Sequence, residues 1–161
     1  YFNVYGPRQT LSNPYTGVEA IFMSRLKNNN PPVIYEDGLQ TRDFISVYDV
    51  VKANILAMEK EEANYKVFNV GTGRVLNIKK VAEILAKLYG KDIKPTITHK
   101  FRKGDIRHCY ADISKIKSKL RFTPRVSFEE GMKGLIEWAR KTKSQDRFNQ
   151  ATEELKAKKL V

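Results

Sequence analysis

The chain has 161 residues, 41% of them hydrophobic, and a net charge of +12, which is sufficient for one domain with its own core. One Cys excludes an internal disulfide framework, and no apolar run approaches the roughly 20 residues of a membrane-spanning helix, so we expect a cytoplasmic protein without membrane contact. The positive charge predicts attraction to polyanions, but basic residues are not interleaved with stacking aromatics, so nucleic acid is not the expected partner.

Strand-like and helix-like patterns alternate to about residue 140 and predict an α/β domain without an internal boundary. The chain opens on an apolar strand at 1–5 that runs into a Gly-Pro turn, as if the sequence began within a strand. A polar loop at 9–17 precedes a predicted helix at 18–28. A Pro pair ends this helix, and a short strand follows at 33–35.

The middle of the chain predicts a further helix, a strand and a second helix. The first helix is expected to open at Arg42 and to bury a stripe with helical spacing that comprises Val47, Val50, Val51, Ile55 and Met58. Residues 65–70 are rich in β-branched and aromatic residues and predict a strand. Asn77 is expected to cap the second helix, and Gly90 to end it.

The last third predicts an extended segment at 95–101, a short strand at 109–113 and a short helix at 114–120. Ser127 and Glu130 have the spacing of a capping box and predict another helix. The basic remainder, 140–161, is either one more helix or a frayed tail, and its Lys residues are interpreted as a solvated face.

A glycine turn follows the predicted strand at 65–70 and raises the question of dinucleotide binding. Gly71-Thr72-Gly73 could bring backbone amides close to a pyrophosphate, but the full G-x-G-x-x-G is missing because residue 76 is Leu. We therefore interpret the segment as a tight structural turn. A metal site is not expected either, because His99, His108 and Cys109 are too few and too irregularly spaced.

Two groups of cations could bind phosphate. Arg42 directly precedes Asp43 and can either bind a phosphate through two N–H groups or pair with a carboxylate of the protein. Residues 101–108 place three cations and one carboxylate around a glycine, an arrangement suited to a diphosphate and a ribose hydroxyl.

Four motifs in a fixed order resemble one family across residues 1–139. They are Tyr-Phe-Asn-Val-Tyr-Gly-Pro-Arg from residue 1, Gly-Leu-Gln-Thr-Arg-Asp-Phe-Ile-Ser-Val from 38, Phe-Asn-Val-Gly-Thr-Gly from 68, and Lys-Gly-Asp-Ile-Arg-His-Cys-Tyr-Ala-Asp-Ile-Ser-Lys from 103. The family is that of the NAD-dependent nucleotide-sugar epimerases and dehydratases, which are extended short-chain dehydrogenase/reductases. The chain is most similar to the UDP-glucose and UDP-N-acetylglucosamine 4-epimerases.

The resemblance implies a fold and a division of the chain. Residues 1–139 would be the C-terminal, sugar-nucleotide-binding portion of an extended Rossmann-type epimerase, with a few strands of the parent parallel sheet and small peripheral strands. Residues 140–161 would form a basic helical tail. An N-terminal cofactor domain would be missing, and the exposed sheet edges would make the chain self-associate as a homo-oligomer.

The resemblance also implies which residues contact the UDP-sugar. Asn3 and Arg42 would contact the sugar diphosphate, Arg102 would hold the diphosphate from the other side, and Asp105 would accept from the ribose hydroxyls. Further contacts would come from the backbone of Gly17 and Val18, from Val33 and a stacking Tyr35 at the base, and from Arg107 at a phosphate.

The resemblance implies that two residues lie near the sugar, which is the reacting end of the substrate. Tyr1 would lie near the nicotinamide of NAD, and Cys109 would border the sugar. A small side chain at position 109 leaves room for an N-acetyl group, which favours N-acetylated substrates, but Cys109 could equally be a small buried strand residue.

The resemblance implies 4-epimerisation in the intact enzyme, in which NAD removes hydride from C4 of the sugar and returns it to the other face. The catalytic Tyr-x-x-x-Lys occurs by form only at Tyr48 and Lys52, which we interpret as coincidence, so the chain alone is expected to be inactive. Two alternatives stay open. One is 4,6-dehydration or decarboxylation of a related nucleotide sugar, and the other is a stand-alone basic module that binds a nucleotide or nucleic acid.

Overall fold

The computed structural model describes residues 1–13, 17–143 and 145–161, so residues 14–16 of the predicted loop lie outside it. Within these ranges the chain forms six α-helices and seven short strands. The strands are β1 (Asn3–Tyr5), β2 (Val33–Ile34), β3 (Thr41–Arg42), β4 (Phe44–Ser46), β5 (Leu76–Asn77), β6 (Thr96–Ile97) and β7 (His108–Cys109). The helices are α1 (Val18–Lys27), α2 (Val47–Glu59), α3 (Ile78–Tyr89), α4 (Ser114–Leu120), α5 (Phe128–Lys141) and α6 (Phe148–Ala157).

The strands form three small sheets. β1 pairs in parallel with β4, and β2 pairs in parallel with β6. In the third sheet β3 is central, antiparallel to β5 and parallel to β7. The predicted α/β architecture with small parallel sheets is confirmed.

Local sequence signals set the ends of several helices. The Asn77 side chain accepts from the Lys80 amide at 2.7 Å, and Gly90 ends α3 with a φ of +69°. Ser127 accepts from the Glu130 amide at 3.2 Å and so caps α5. These three predictions are confirmed because each depends on the chemistry of a residue within one turn of the helix end.

Two clusters of buried side chains hold the elements together. The larger cluster joins α1, α3 and α5 to β1 and β4, and Leu26, Leu85 and Leu135 in it are fully buried. The smaller cluster packs Val50 and Ala53 of α2 against α4. Burial of a side chain such as Leu85 contributes about 2 kcal/mol to folding.

The strand predicted at 65–70 does not form. Tyr65 has a φ of +56°, outside the region that strands occupy, and its side chain and that of Val67 are exposed. The Val70 carbonyl accepts from the amide of Phe2, the residue before β1, at 3.0 Å. The β-branched composition predicted a strand, but residues 65–70 form no strand pairing with the described part of the chain.

The helix expected to open at Arg42 begins instead at Val47, because residues 41–42 and 44–46 are strands. The expected burial of its apolar stripe is also wrong. Val50 is buried, but Val51, Ile55 and Met58 are 50%, 48% and 86% exposed. The helix turns its Asp49, Val50 and Ala53 face inward, and the side-chain oxygens of Asp49 accept from two backbone amides at residues 125 and 126.

The basic tail contains one more helix, α6 (Phe148–Ala157). α6 begins at Phe148 and buries Ala151, while Ser144 of the tail lies outside the described residues. Where the chain is described, no helix is long and apolar enough to cross a membrane.

Candidate functional site

A cavity of about 320 Å³ lies where α1, β2, β3, α6 and the 102–105 turn meet. Eight of the residues expected to contact substrate line it, namely Asn3, Gly17, Val18, Val33, Tyr35, Arg42, Arg102 and Asp105. Apolar side chains such as Phe22 and Ile78 form its inner wall, with the charged groups of Arg42, Arg102 and Asp105 in the same lining. An apolar enclosure with a few polar groups is typical of small-molecule sites.

A second, shallower depression of about 490 Å³ adjoins the cavity. Tyr1 and Cys109 line it, and Asn3, Arg42 and Asp105 line both the depression and the cavity. These three residues therefore stand at the border between a partly enclosed compartment and a more open one. The arrangement can accept an elongated ligand whose polar middle lies at this border.

Arg42 reaches the border from β3. Its guanidinium nitrogen Nη1 donates to the carbonyl oxygens of Thr41 at 2.8 Å and of Arg107 at 3.3 Å. In the described ranges no carboxylate forms a salt bridge with Arg42. The alternative that Arg42 pairs with a protein carboxylate is thus not realised, and its remaining N–H groups can bind an anion.

Arg102 and Asp105 form a two-pronged ion pair across a turn. Nε and Nη2 of Arg102 donate to the two carboxylate oxygens of Asp105 at 2.9 and 2.8 Å. Gly104 makes this turn with a φ of +86°, which a residue with a side chain adopts only with strain. The pair is partly exposed, and such pairs contribute about 0–1 kcal/mol, so an incoming phosphate can open it at low cost.

Arg107 is held by acidic side chains of the loop after β2. Its guanidinium donates to both oxygens of Asp37, at 2.7 and 2.8 Å, and to Glu36 at 2.5 Å. Hydrogen bonding to Asp37 raises the pKa of Arg107, and the same bonds lower the pKa of Asp37. Its role as a phosphate ligand stays a prediction, and these competing carboxylates count against it.

The glycine turn at 71–73 surrounds a carboxylate of the protein. Asp43 is fully buried and accepts from the Thr72 and Gly73 amides at 2.8 Å each, and from the Thr72 hydroxyl at 2.6 Å. The Ala111 amide also donates to it at 3.2 Å. The prediction of a structural turn is confirmed, because Asp43 occupies the position where a pyrophosphate would bind. Asp43 thereby ties the residue after β3, and hence Arg42, to the glycine turn and to Ala111.

Glu19 is a buried carboxylate at the first turn of α1 that the sequence analysis missed. Its Oε1 accepts from Gln9 Nε2 at 2.8 Å, and its Oε2 has no partner among the described residues. Burial raises the pKa of this carboxyl. A Cβ on Gly17 would lie 2.2 Å from Oε1, so the glycine is what allows the carboxylate to fold back under the helix start.

Gln40 is a second residue that the sequence analysis missed. It is buried, lines the cavity, and donates from Nε2 to the Tyr35 carbonyl at 2.9 Å, which fixes the backbone beside the expected base position. The third omission is α6, which supplies four side chains to the cavity. Gln40 could have been noticed as a polar residue inside the 38–47 motif, but nothing local in the tail indicates its contact with α1.

Residues 1–135 match the family model described as GDP-mannose 4,6 dehydratase. The chain belongs to this family of nucleotide-sugar epimerases and dehydratases. Among the curated relatives, a dTDP-L-rhamnose 4-epimerase from Burkholderia thailandensis is 38% identical over 84% of the chain and 37% of its own length. The family resemblance inferred from the four motifs is confirmed.

Solved structures of the family share the fold. UDP-glucose 4-epimerase from Thermotoga maritima, solved with UDP-glucose, is 44% identical, with a TM-score of 0.79 over 88% of this chain and 44% of that one. UDP-glucuronic acid 4-epimerase from Bacillus cereus, solved with UDP-glucuronic acid and NAD, is 28% identical, with a TM-score of 0.77 over the same shares. The chain thus spans less than half the length of the relatives it matches.

Proposed function

We propose that this chain is the substrate-binding portion of an NAD-dependent UDP-sugar 4-epimerase acting on UDP-glucose and UDP-galactose or their N-acetylated forms. The observation that carries the proposal is the border at Asn3, Arg42 and Asp105 between a partly enclosed cavity and a more open depression. A nucleotide sugar has the matching order of parts, with a flat base at one end, a doubly charged diphosphate in the middle and a sugar at the other end.

The base would occupy the apolar cavity. Val33 and Tyr35 would flank it, and the Tyr35 ring lies 6.0 Å from the guanidinium carbon of Arg102. Gly17 and Val18 would offer backbone N–H groups at the start of α1, where the helix dipole favours negative charge.

The diphosphate would lie between Arg42 and Arg102. In this proposal the phosphate replaces Asp105 as the partner of Arg102, and the released Asp105 carboxylate accepts from the ribose hydroxyls. Each new charge-assisted hydrogen bond contributes about 1.5–3 kcal/mol.

The sugar would occupy the depression beside Tyr1 and Cys109. Cys109 is partly buried at the end of β7, and its small side chain leaves space for a 2-N-acetyl group. Tyr1 is 70% exposed and donates from its hydroxyl to Asn54 at 2.7 Å, which would hold its ring at the edge facing the nicotinamide.

The glycine turn at 71–73 is not available to a pyrophosphate, because the Asp43 carboxylate accepts from its amides. NAD would supply hydride acceptance and return in the parent enzyme. Tyr48 and Lys52 lie on α2, and the Tyr48 side chain is 62% exposed. We therefore propose that the 161 residues bind substrate without turning it over.

The second candidate is the same binding role in a 4,6-dehydratase or decarboxylase. The relatives include decarboxylases of nucleotide sugars as well as 4-epimerases, which favours this alternative over a stand-alone module. The reaction product of the intact enzyme distinguishes the two: a 4-epimer retains every atom of its substrate, whereas the alternatives release water or carbon dioxide.

Calorimetric titration of UDP-glucose and UDP-N-acetylglucosamine into the chain tests the proposal. We expect Arg42→Ala to weaken binding by about tenfold or more through the loss of a charge-assisted contact. Arg74→Ala is the matched control, because Arg74 is an exposed arginine that lines neither the cavity nor the depression.

Equal affinities for the unsubstituted chain and Arg42→Ala would contradict the assignment of the diphosphate site. Binding of oligonucleotides with an affinity that falls steeply with salt, and no binding of UDP-sugars, would favour the basic module instead.

A further inference from the structure

Helix α6 forms one wall of the cavity, although it lies beyond residue 135, where the family match ends. Phe148, Ala151, Thr152 and Leu155, which follow one another at helical spacing, all line the cavity. Ala151 is 5% exposed, so this face of the helix is covered by the rest of the protein. The opposite face carries polar residues such as Gln150 and Glu153, which are exposed.

The beginning of α6 is docked on α1. Asp146 accepts from Arg25 Nη1 at 3.3 Å and from Asn30 Nδ2 at 2.8 Å, and both side chains of the ion pair are nearly buried. The Arg25 guanidinium carbon also lies 4.5 Å from the centre of the Phe148 ring. Because breaking a buried ion pair leaves an uncompensated charge, this end of the helix has a defined position.

The end of the tail is fixed to the turn that carries the expected phosphate and ribose ligands. The Leu160 carbonyl accepts from the Lys103 amide at 2.8 Å. Lys103 lies between Arg102 and Gly104, so the tail contacts the backbone of the turn whose side chains form the Arg102–Asp105 pair. Helix α6 therefore joins the apolar and the charged parts of one site.

We infer that α6 is the wall that contacts the nucleobase and restricts the site to pyrimidine nucleoside diphosphates. The inference rests on the proposed function and extends the substrate site from residues 1–139 into the tail. A cavity of about 320 Å³ is at the lower end of the size range of ligand sites. A purine carries a second fused ring and so needs more of this volume than a pyrimidine, and the Phe148, Thr152 and Leu155 side chains of α6 bound the volume on one side.

Calorimetric titration of UDP and GDP into the 161-residue chain tests the inference. Ala151→Trp fills the cavity from α6, and we expect it to weaken UDP binding by about tenfold or more. Ala157→Trp is the matched control, since it makes the same change at an exposed position of the same helix, and it should bind UDP like the unsubstituted chain. Leu155→Ala should reduce the preference for UDP over GDP by about fivefold, because it widens the wall.

Circular dichroism and thermal unfolding establish whether Ala151→Trp folds. If it does not fold, Leu155→Ala still carries the test, because it removes atoms without adding any. The role of α6 would be overturned if Leu155→Ala and folded Ala151→Trp bind UDP and GDP like the unsubstituted chain. If Arg42→Ala still weakens UDP binding in that case, the proposed function stands. Failure of the unsubstituted chain to bind UDP would overturn both.

Discussion

Individual polar side chains have two different roles in this protein, because some stabilise the fold and others are available to bind a ligand. Asp43 and Asp49 are buried carboxylates that accept backbone amides, so they fix the chain and are not free for a ligand. At the border of the two compartments, Arg42 has remaining N–H groups that can bind an anion. Arg102 is held in an ion pair that an anion can open. Buried carboxylates with full hydrogen bonding stabilise structure, whereas partly exposed cations remain able to bind anions.

We expect the stability of the protein to depend on pH through Glu19. Burial raises the pKa of its carboxyl above the ordinary value of 4.5, so the folded state binds this proton more tightly than the unfolded state. Stability is therefore lost as the pH rises from the ordinary value through the folded-state pKa. We expect Glu19→Gln to raise the free energy of unfolding at neutral pH by about 1–3 kcal/mol, with the gain disappearing below the ordinary pKa.

Thermal unfolding from pH 3.5 to 8 measures this effect. Glu62→Gln is the control, because Glu62 is exposed and its replacement should change Tm little at any pH. A Glu19→Gln variant that is less stable than the unsubstituted protein at pH 7 would show that the carboxylate is stabilised in the fold.

Among the helices, α5 shows how packing can override helix propensity. Gly131 lies against β1, and a Cβ there would lie 2.3 Å from the Tyr5 hydroxyl oxygen, whose ring is buried. Gly134, one turn on, has no atom within 4 Å of an added Cβ. Glycine lowers helix stability at both positions by about 1 kcal/mol relative to alanine, so the surroundings decide the sign of each substitution.

We expect Gly134→Ala to stabilise the protein by about 1 kcal/mol and Gly131→Ala to destabilise it by about 1–3 kcal/mol, because Tyr5 must leave its position. Urea unfolding of the two variants gives the comparison directly. Stabilisation by both substitutions would mean that Tyr5 moves aside at no cost.

The accuracy of sequence-based prediction varied among the elements for a physical reason. Both ends of α3 and the start of α5 were predictable because caps and glycine stops act within a single turn. The inward face of α2 was not predictable, because apolar residues occur on two sides of this helix and the packing partner decides which side is buried. Gln40 and α6 reach the cavity only through contacts distant in sequence, which local patterns do not encode.

The molecule as a whole presents one unusual apolar surface. We define the α2 stripe as Tyr48, Val51, Ile55 and Met58, which are between 48% and 86% exposed. Their spacing places them on one side of the helix, and soluble monomers seldom expose such contiguous apolar residues. We therefore expect the chain to self-associate through the α2 stripe once salt screens its net charge of +12.

Light scattering at increasing protein concentration and about 0.15 M salt, where the Debye length is about 8 Å, measures this association. Ile55→Lys should shift the protein towards monomer, while Leu39→Lys adds the same charge at an exposed apolar residue outside the stripe and should not. A monomer at every concentration, or equal effects of the two variants, would contradict the prediction.

The proposed substrate site connects these features, because β1, β3, α1, α6 and the 102–105 turn all contribute to one cavity. A crystal structure of the chain with UDP-glucose tests it most directly. We expect the base between Tyr35 and α6, the diphosphate between Arg42 and Arg102, and the Arg102–Asp105 pair opened. A nucleotide bound elsewhere, with this ion pair intact and the cavity empty, would contradict the proposed function.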